Sequence, residues 1–110
     1  MPHADLKYSS DLQFDAEAVL AAVERTILSN DAGSGECKGR AYPAKIFHHS
    51  HCILNVSMLS KQHRDSAFTK ALLRDLEAEL GRHLLQPCFL SLGIQYSDDN
   101  YITSEHIPSA

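Results

Sequence analysis

Histidine and cysteine supply the side chains of broadest chemistry in this 110-residue chain, which holds seven of the first and three of the second. His48, His49 and His51 stand together, and imidazole is a ligand for zinc, copper and nickel. No carboxylate or thiolate stands at a recognisable metal-motif spacing from them, and a polar turn between two strands explains the cluster more simply. Cys52 beside His51 suggests a thiol–imidazole pair. Consecutive strand residues point to opposite faces, however, so adjacency argues against that pairing. Cys37, Cys52 and Cys88 are odd in number, widely separated and beside apolar segments, as small buried thiols are in a reducing compartment; a disulfide framework is not expected. His3 reads as a strand residue rather than a ligand. Arg40 and Arg64, taken singly, read as solvated charges or helix-start residues. No metal or cofactor is expected.

The length suits one compact domain covering residues 1–110, since a second core would lack volume. A hydrophobic fraction of 44%, a charged fraction of 22% and a net charge of −4 describe ordinary globular usage without the clustered basic face of a nucleic-acid binder. The apolar runs fall far short of the roughly 20 residues of a membrane span, and Met1 to Tyr8 lack the apolar stretch of a signal peptide. The expectation is a soluble, cytoplasmic protein with neither a nucleic-acid nor a membrane partner.

Two strand–helix halves, each ending in a further strand, give the chain the look of a weak internal duplication. Pro2 to Tyr8 alternate and stop at Ser9-Ser10-Asp11, which predicts a first strand. Phe14 to Ser29 repeat apolar groups at helical spacing with Asp15 and Glu17 in the opening turn, and Asn30 to Gly35 form a loop. Lys38 to Phe47 are expected to form an irregular strand, because Pro43 removes a ladder donor and belongs at an edge or bend. Cys52 to Leu59 suit a central strand. Phe68, Leu72, Leu76, Leu80 and Leu84 set a four-residue stripe through a second helix over 65–85, which Pro87 ends; Phe89 to Tyr96 make the fourth strand. The fold class is α+β, a four-stranded sheet covered on one face by two helices. Leu54, Val56 and Leu92 are assigned to the uncovered face, which a second copy of the subunit would have to bury.

Met1-Pro2-His3, Ser9 with Asp11, Lys38-Gly39-Arg40 before a bent strand and His63-Arg64-Asp65-Ser66 at a helix start together resemble the 5-carboxymethyl-2-hydroxymuconate isomerase family of the tautomerase superfamily. The resemblance spans nearly the whole chain. It implies a tautomerase-like β-α-β repeat assembled as a homotrimer, and an isomerase that interconverts keto and enol forms of a 2-hydroxymuconate-like acid without a cofactor. Pro2 matches the family's catalytic proline, provided Met1 is removed. Its free secondary amine would take a carbon-bound proton and return it elsewhere, with burial and nearby cations lowering its proton affinity.

Arg40 and Lys38 match the family's arginine pair, with a change of type at 38, and Arg64 matches the arginine at the second helix. The resemblance implies that these three bind a small-molecule carboxylate substrate, guanidinium being suited to bidentate contact. The family's tryptophan after the pair is absent, and His63 stands where the family has glycine before the arginine. An alternative reading is a non-enzymatic trimeric binding or structural module. Tyr96 and Tyr101 could line a pocket, with packing the better reading for Tyr96. The tail from 102 to 110 either caps a subunit interface or hangs loose.

Overall fold

The computed structural model describes residues 1–109, and Ala110, the end of the tail, lies outside them. Six elements follow in the order β1 (His3–Ser9), α1 (Ala16–Asn30), β2 (Lys38–Ala44), β3 (His51–Leu59), α2 (Ser66–His83) and β4 (Phe89–Ser97). The sheet runs β2-β1-β3-β4. β1 pairs parallel to β2, β3 pairs parallel to β4, and β1 meets β3 antiparallel. Parallel neighbours need a long crossover, and each helix supplies one, so the two halves suggested by the sequence are two β-α-β units joined at the centre of the sheet. This is an α+β arrangement, a four-stranded sheet with two helices.

Each helix forms where its apolar stripe can reach the sheet. In α1, Val19, Ala22, Val23, Thr26 and Ile27 are buried, a stripe of helical period. Asp15 caps the start by accepting from the Ala18 amide at 3.1 Å. In α2, Leu72, Leu76 and Leu80 are buried, and Asp65 caps the start by accepting from Phe68 at 2.9 Å. Both helices pack on one sheet face, over Ala4, Leu6, Cys52, Leu54, Val56 and Met58, all essentially inaccessible. Gly39 permits close approach at the edge, where a Cβ would stand 3.0 Å from Leu20 Cδ2 of α1.

Pro43 lies in β2, an edge strand, as its missing donor requires. β3 is interior to the sheet, as expected for its composition. The assignment of Leu54, Val56 and Leu92 to the uncovered face is overturned. Leu54 and Val56 are fully buried beneath the helices, and Leu92 packs against the same core. Side chains alternate along a strand, so the opposite phase goes to the open face. That phase carries His3, Asp5 and Lys7 of β1, Arg40 and Tyr42 of β2 and Ile53, Asn55 and Ser57 of β3, a mostly polar surface interrupted by Tyr42 and Ile53.

Burial pushes the thiols of Cys52 and Cys37 up to about 11, with Cys88 and Glu24 respectively adding to the effect. At pH 7 only about one molecule in ten thousand then carries a thiolate at either position. Iodoacetamide is expected to alkylate both, in the folded protein, more than about 100-fold more slowly than an ordinary free cysteine. Peptide mass mapping checks this, and fast labelling of Cys52 would show that β3 opens.

Candidate active site

The Pro2 side chain is fully buried at the start of β1, and its carbonyl accepts from the Lys38 amide at 3.0 Å, extending the β1–β2 ladder by one rung. Its nitrogen belongs to the Met1–Pro2 peptide bond, and Met1 is exposed at 38%. Met1, His3, Glu36, Lys38 and tail residues Thr103 to Glu105 line an open cleft of about 840 Å³. The tail therefore folds back across the sheet end and walls the cleft within the same chain.

Of the three cations singled out in the sequence, Lys38 reaches this cleft. Its ammonium pairs with Glu36 at 2.7 Å, both side chains being well exposed. Their shared hydrogen bond holds the Glu36 carboxyl below its ordinary value and Lys38 above its own. Arg40 lies on the open face, opposite Asp5 in the parallel register, with Nε donating to Asp5 Oδ1 at 2.8 Å. That hydrogen bond lowers Asp5 and raises Arg40. An Arg40 NH1 also approaches His3 Nδ1 at 3.4 Å.

Arg64 is not brought to the cleft lining. Its side chain is 3% exposed, with Nε and NH2 on Asp31 Oδ2 at 3.0 and 2.9 Å and NH1 donating to the Leu59 carbonyl at 2.7 Å. It stands in the turn before α2, not inside the helix, and ties that turn to the end of α1 and the end of β3. Burial works against the charged Asp31 carboxylate, but hydrogen bonds from His63 and Arg64 prevail and hold it below the usual range.

A chain of polar contacts that the sequence reading did not assemble runs beside Pro2. His3 Nε2 is 3.1 Å from the Tyr101 hydroxyl, which donates to the Met1 carbonyl at 3.2 Å. The signal was present in the alternation of β1, which puts His3 and Asp5 on one face, but Arg40 and Tyr101 join them only through sheet register and tail path. Tyr96 instead meets Thr69 of α2, its hydroxyl 2.5 Å from Thr69 Oγ1, which agrees with a packing role. At the far sheet end, the rings of His48 and His49 lie 4.0 Å apart and His51 Nδ1 contacts the His49 carbonyl at 2.9 Å. Among the described residues no group of three or more histidine, cysteine or acidic side chains converges as metal coordination requires.

The paired β-α-β units and the open polar sheet face define a tautomerase-type fold. Three solved structures make the comparison specific. A 5-carboxymethyl-2-hydroxymuconate delta-isomerase superposes with a TM-score of 0.65 over 98% of this chain and 89% of its own, at 18% identity. A 5-carboxymethyl-2-hydroxymuconate isomerase from Deinococcus radiodurans R1 gives 0.71 over 96% and 90%, at 16% identity. A fused wild-type 4-OT, described as a symmetric trimer, gives 0.56 over 93% and 90%, at 12% identity. No family model and no curated protein matches the sequence itself. No helix among the described residues is long and apolar enough to cross a membrane.

Proposed function

We propose that this chain is a cofactor-independent tautomerase that moves a proton within an unsaturated keto or enol acid, with the Pro2 amine as base once Met1 has been removed. The observation that carries this reading is the placement of Pro2. It is fully buried at the start of the first strand of a tautomerase-type sheet, between Met1 and His3, which both line a cleft of about 840 Å³. Loss of Met1 would convert an amide nitrogen without basicity into a secondary amine facing that cleft. Burial of the ring favours the neutral amine, the form that accepts a proton.

Lys38 is the substrate-binding cation of this proposal, exchanging Glu36 for a carboxylate of the substrate. Arg40 acts one rung further along the open face. Arg64, all three of whose contacts are internal, positions the turn at this sheet end. The open face belongs in a homotrimer, a proposal supported by the likeness to the symmetric trimer.

The test is turnover of 2-hydroxymuconate and of phenylpyruvate enol by protein whose mass shows Met1 absent. Pro2→Ala leaves a primary amine, so the expected loss is about 100-fold, the low end for removing a general base. Undiminished turnover in that variant, with turnover also kept when the terminal amine is blocked, would exclude the position 2 nitrogen as the base.

A further inference from the structure

The geometry points to Tyr101 as the hydrogen-bond donor to the substrate oxygen that gains charge as Pro2 takes its proton. The inference rests on the reaction proposed above and adds a residue to it. It starts from the direction of the hydrogen bonds. Arg40 has only donors, so at 3.4 Å its NH1 makes His3 Nδ1 an acceptor, and the imidazole proton sits on Nε2. His3 Nε2 then donates to the Tyr101 oxygen at 3.1 Å, and Tyr101 gives its single proton to the Met1 carbonyl at 3.2 Å. Asp5 completes the chain by accepting from Arg40 at 2.8 Å. Every donor from Arg40 to Tyr101 points toward the chain start.

Removal of Met1 takes away the acceptor at the end of this chain, and the contacts from Asp5 through Arg40 and His3 to Tyr101 involve no Met1 atom. The Met1 carbonyl carbon is bonded to the Pro2 nitrogen, so standard bond lengths put the Tyr101 oxygen within about 6 Å of that nitrogen. A carbonyl and its α-carbon fill that span. The α-carbon lies about 3 to 3.5 Å from the base. The carbonyl oxygen then sits about 2.7 Å from the hydroxyl.

As the C–H bond breaks, Pro2 nitrogen forms an N–H bond. The C–H electron pair becomes a C=C bond, and the carbonyl pair moves onto oxygen, where Tyr101 donates. The proton returns from Pro2 to another carbon of the conjugated acid as the oxygen pair re-forms C=O, or to that oxygen, giving the enol whose ketonisation is the same step in reverse. No oxidant or reductant enters. His3 is a positioning residue in this scheme, holding the hydroxyl so that its proton faces the cleft.

The experiment uses protein shown by mass to lack Met1, assayed beside Pro2→Ala. Tyr101→Phe is expected to lower kcat about 100-fold with little change in KM, as loss of one preorganised oxyanion donor does. His3→Leu is expected to lower kcat about 10-fold, because it acts through the tyrosine, and His3→Gln, whose amide N–H can replace Nε2–H, to recover most of it. Thermal melting of each variant separates these effects from unfolding. Tyr101→Phe within about threefold of a wild type whose turnover depends on Pro2 would overturn the assignment and leave the proposed function standing. A wild type with no Pro2-dependent turnover would remove both.

Discussion

Replacing Arg64 with leucine is expected to lower the unfolding free energy by about 3 kcal/mol, the lower end of the range for breaking a buried ion pair by removing one partner. Arg64 is 3% exposed and Asp31 10%, so the change strands a carboxylate that water reaches poorly, leaving it only the half-exposed His63. It also strands the Leu59 carbonyl at the end of β3. A chain of this size holds only about 5–15 kcal/mol in total, so the loss is readily measured as a shift of the urea midpoint at unchanged slope. The difference has a defined pH dependence. Asp31 titrates below its ordinary 3.8 in the folded protein, so the pair's contribution is full well above that value and fades as pH falls through the lower, folded one. Wild type and variant should therefore converge in acid. A midpoint change worth under about 1 kcal/mol at pH 7 would show that Arg64 is an ordinary surface arginine.

The helices, the edge place of the second strand and the interior place of the third could be anticipated from local pattern because their causes are local. The leucines of α2 recur every four residues, Asp15 and Asp65 sit where caps belong, and Pro43 can occupy only an edge. What escaped was phase and pairing. In β3 and β4, polar and apolar residues alternate in a way that fixes two faces but not which one the helices cover, and assigning Leu54, Val56 and Leu92 to the open face chose the wrong one. The partners of the cations were hidden for the same reason. Arg40 meets Asp5 because β1 and β2 run parallel in one particular register, and Arg64 meets Asp31 across 33 positions of chain. Lys38 was visible as a cation near the start of β2, but its proximity to Pro2 follows from the ladder bond between Lys38 N and Pro2 O. Tyr101 entered only as a possible pocket residue, since nothing in the tail's sequence shows that it folds back to the first strand.

Under the proposed mechanism, a protein that keeps Met1, or carries an uncleaved extension before it, is expected to lose its turnover entirely, a larger effect than Pro2→Ala. Three consequences of one peptide bond add up. The Pro2 lone pair is delocalised into the amide and accepts no proton. Met1 itself lines the cleft in which the substrate would sit. The Tyr101 proton stays committed to the Met1 carbonyl at 3.2 Å. Pro2→Ala, by contrast, leaves a basic amine and frees both cleft and hydroxyl. The fold should be indifferent, because Met1 is half-exposed and belongs to no strand, so melting curves of extended and trimmed protein should coincide. An extension that a site-specific protease removes to expose Pro2 makes the comparison within one sample: turnover at the uncatalysed rate before cleavage, full turnover after it. Activity within tenfold of the trimmed protein before cleavage would mean that the proton is taken by a group other than Pro2, since no other consequence of the extension could leave an amide nitrogen acting as a base.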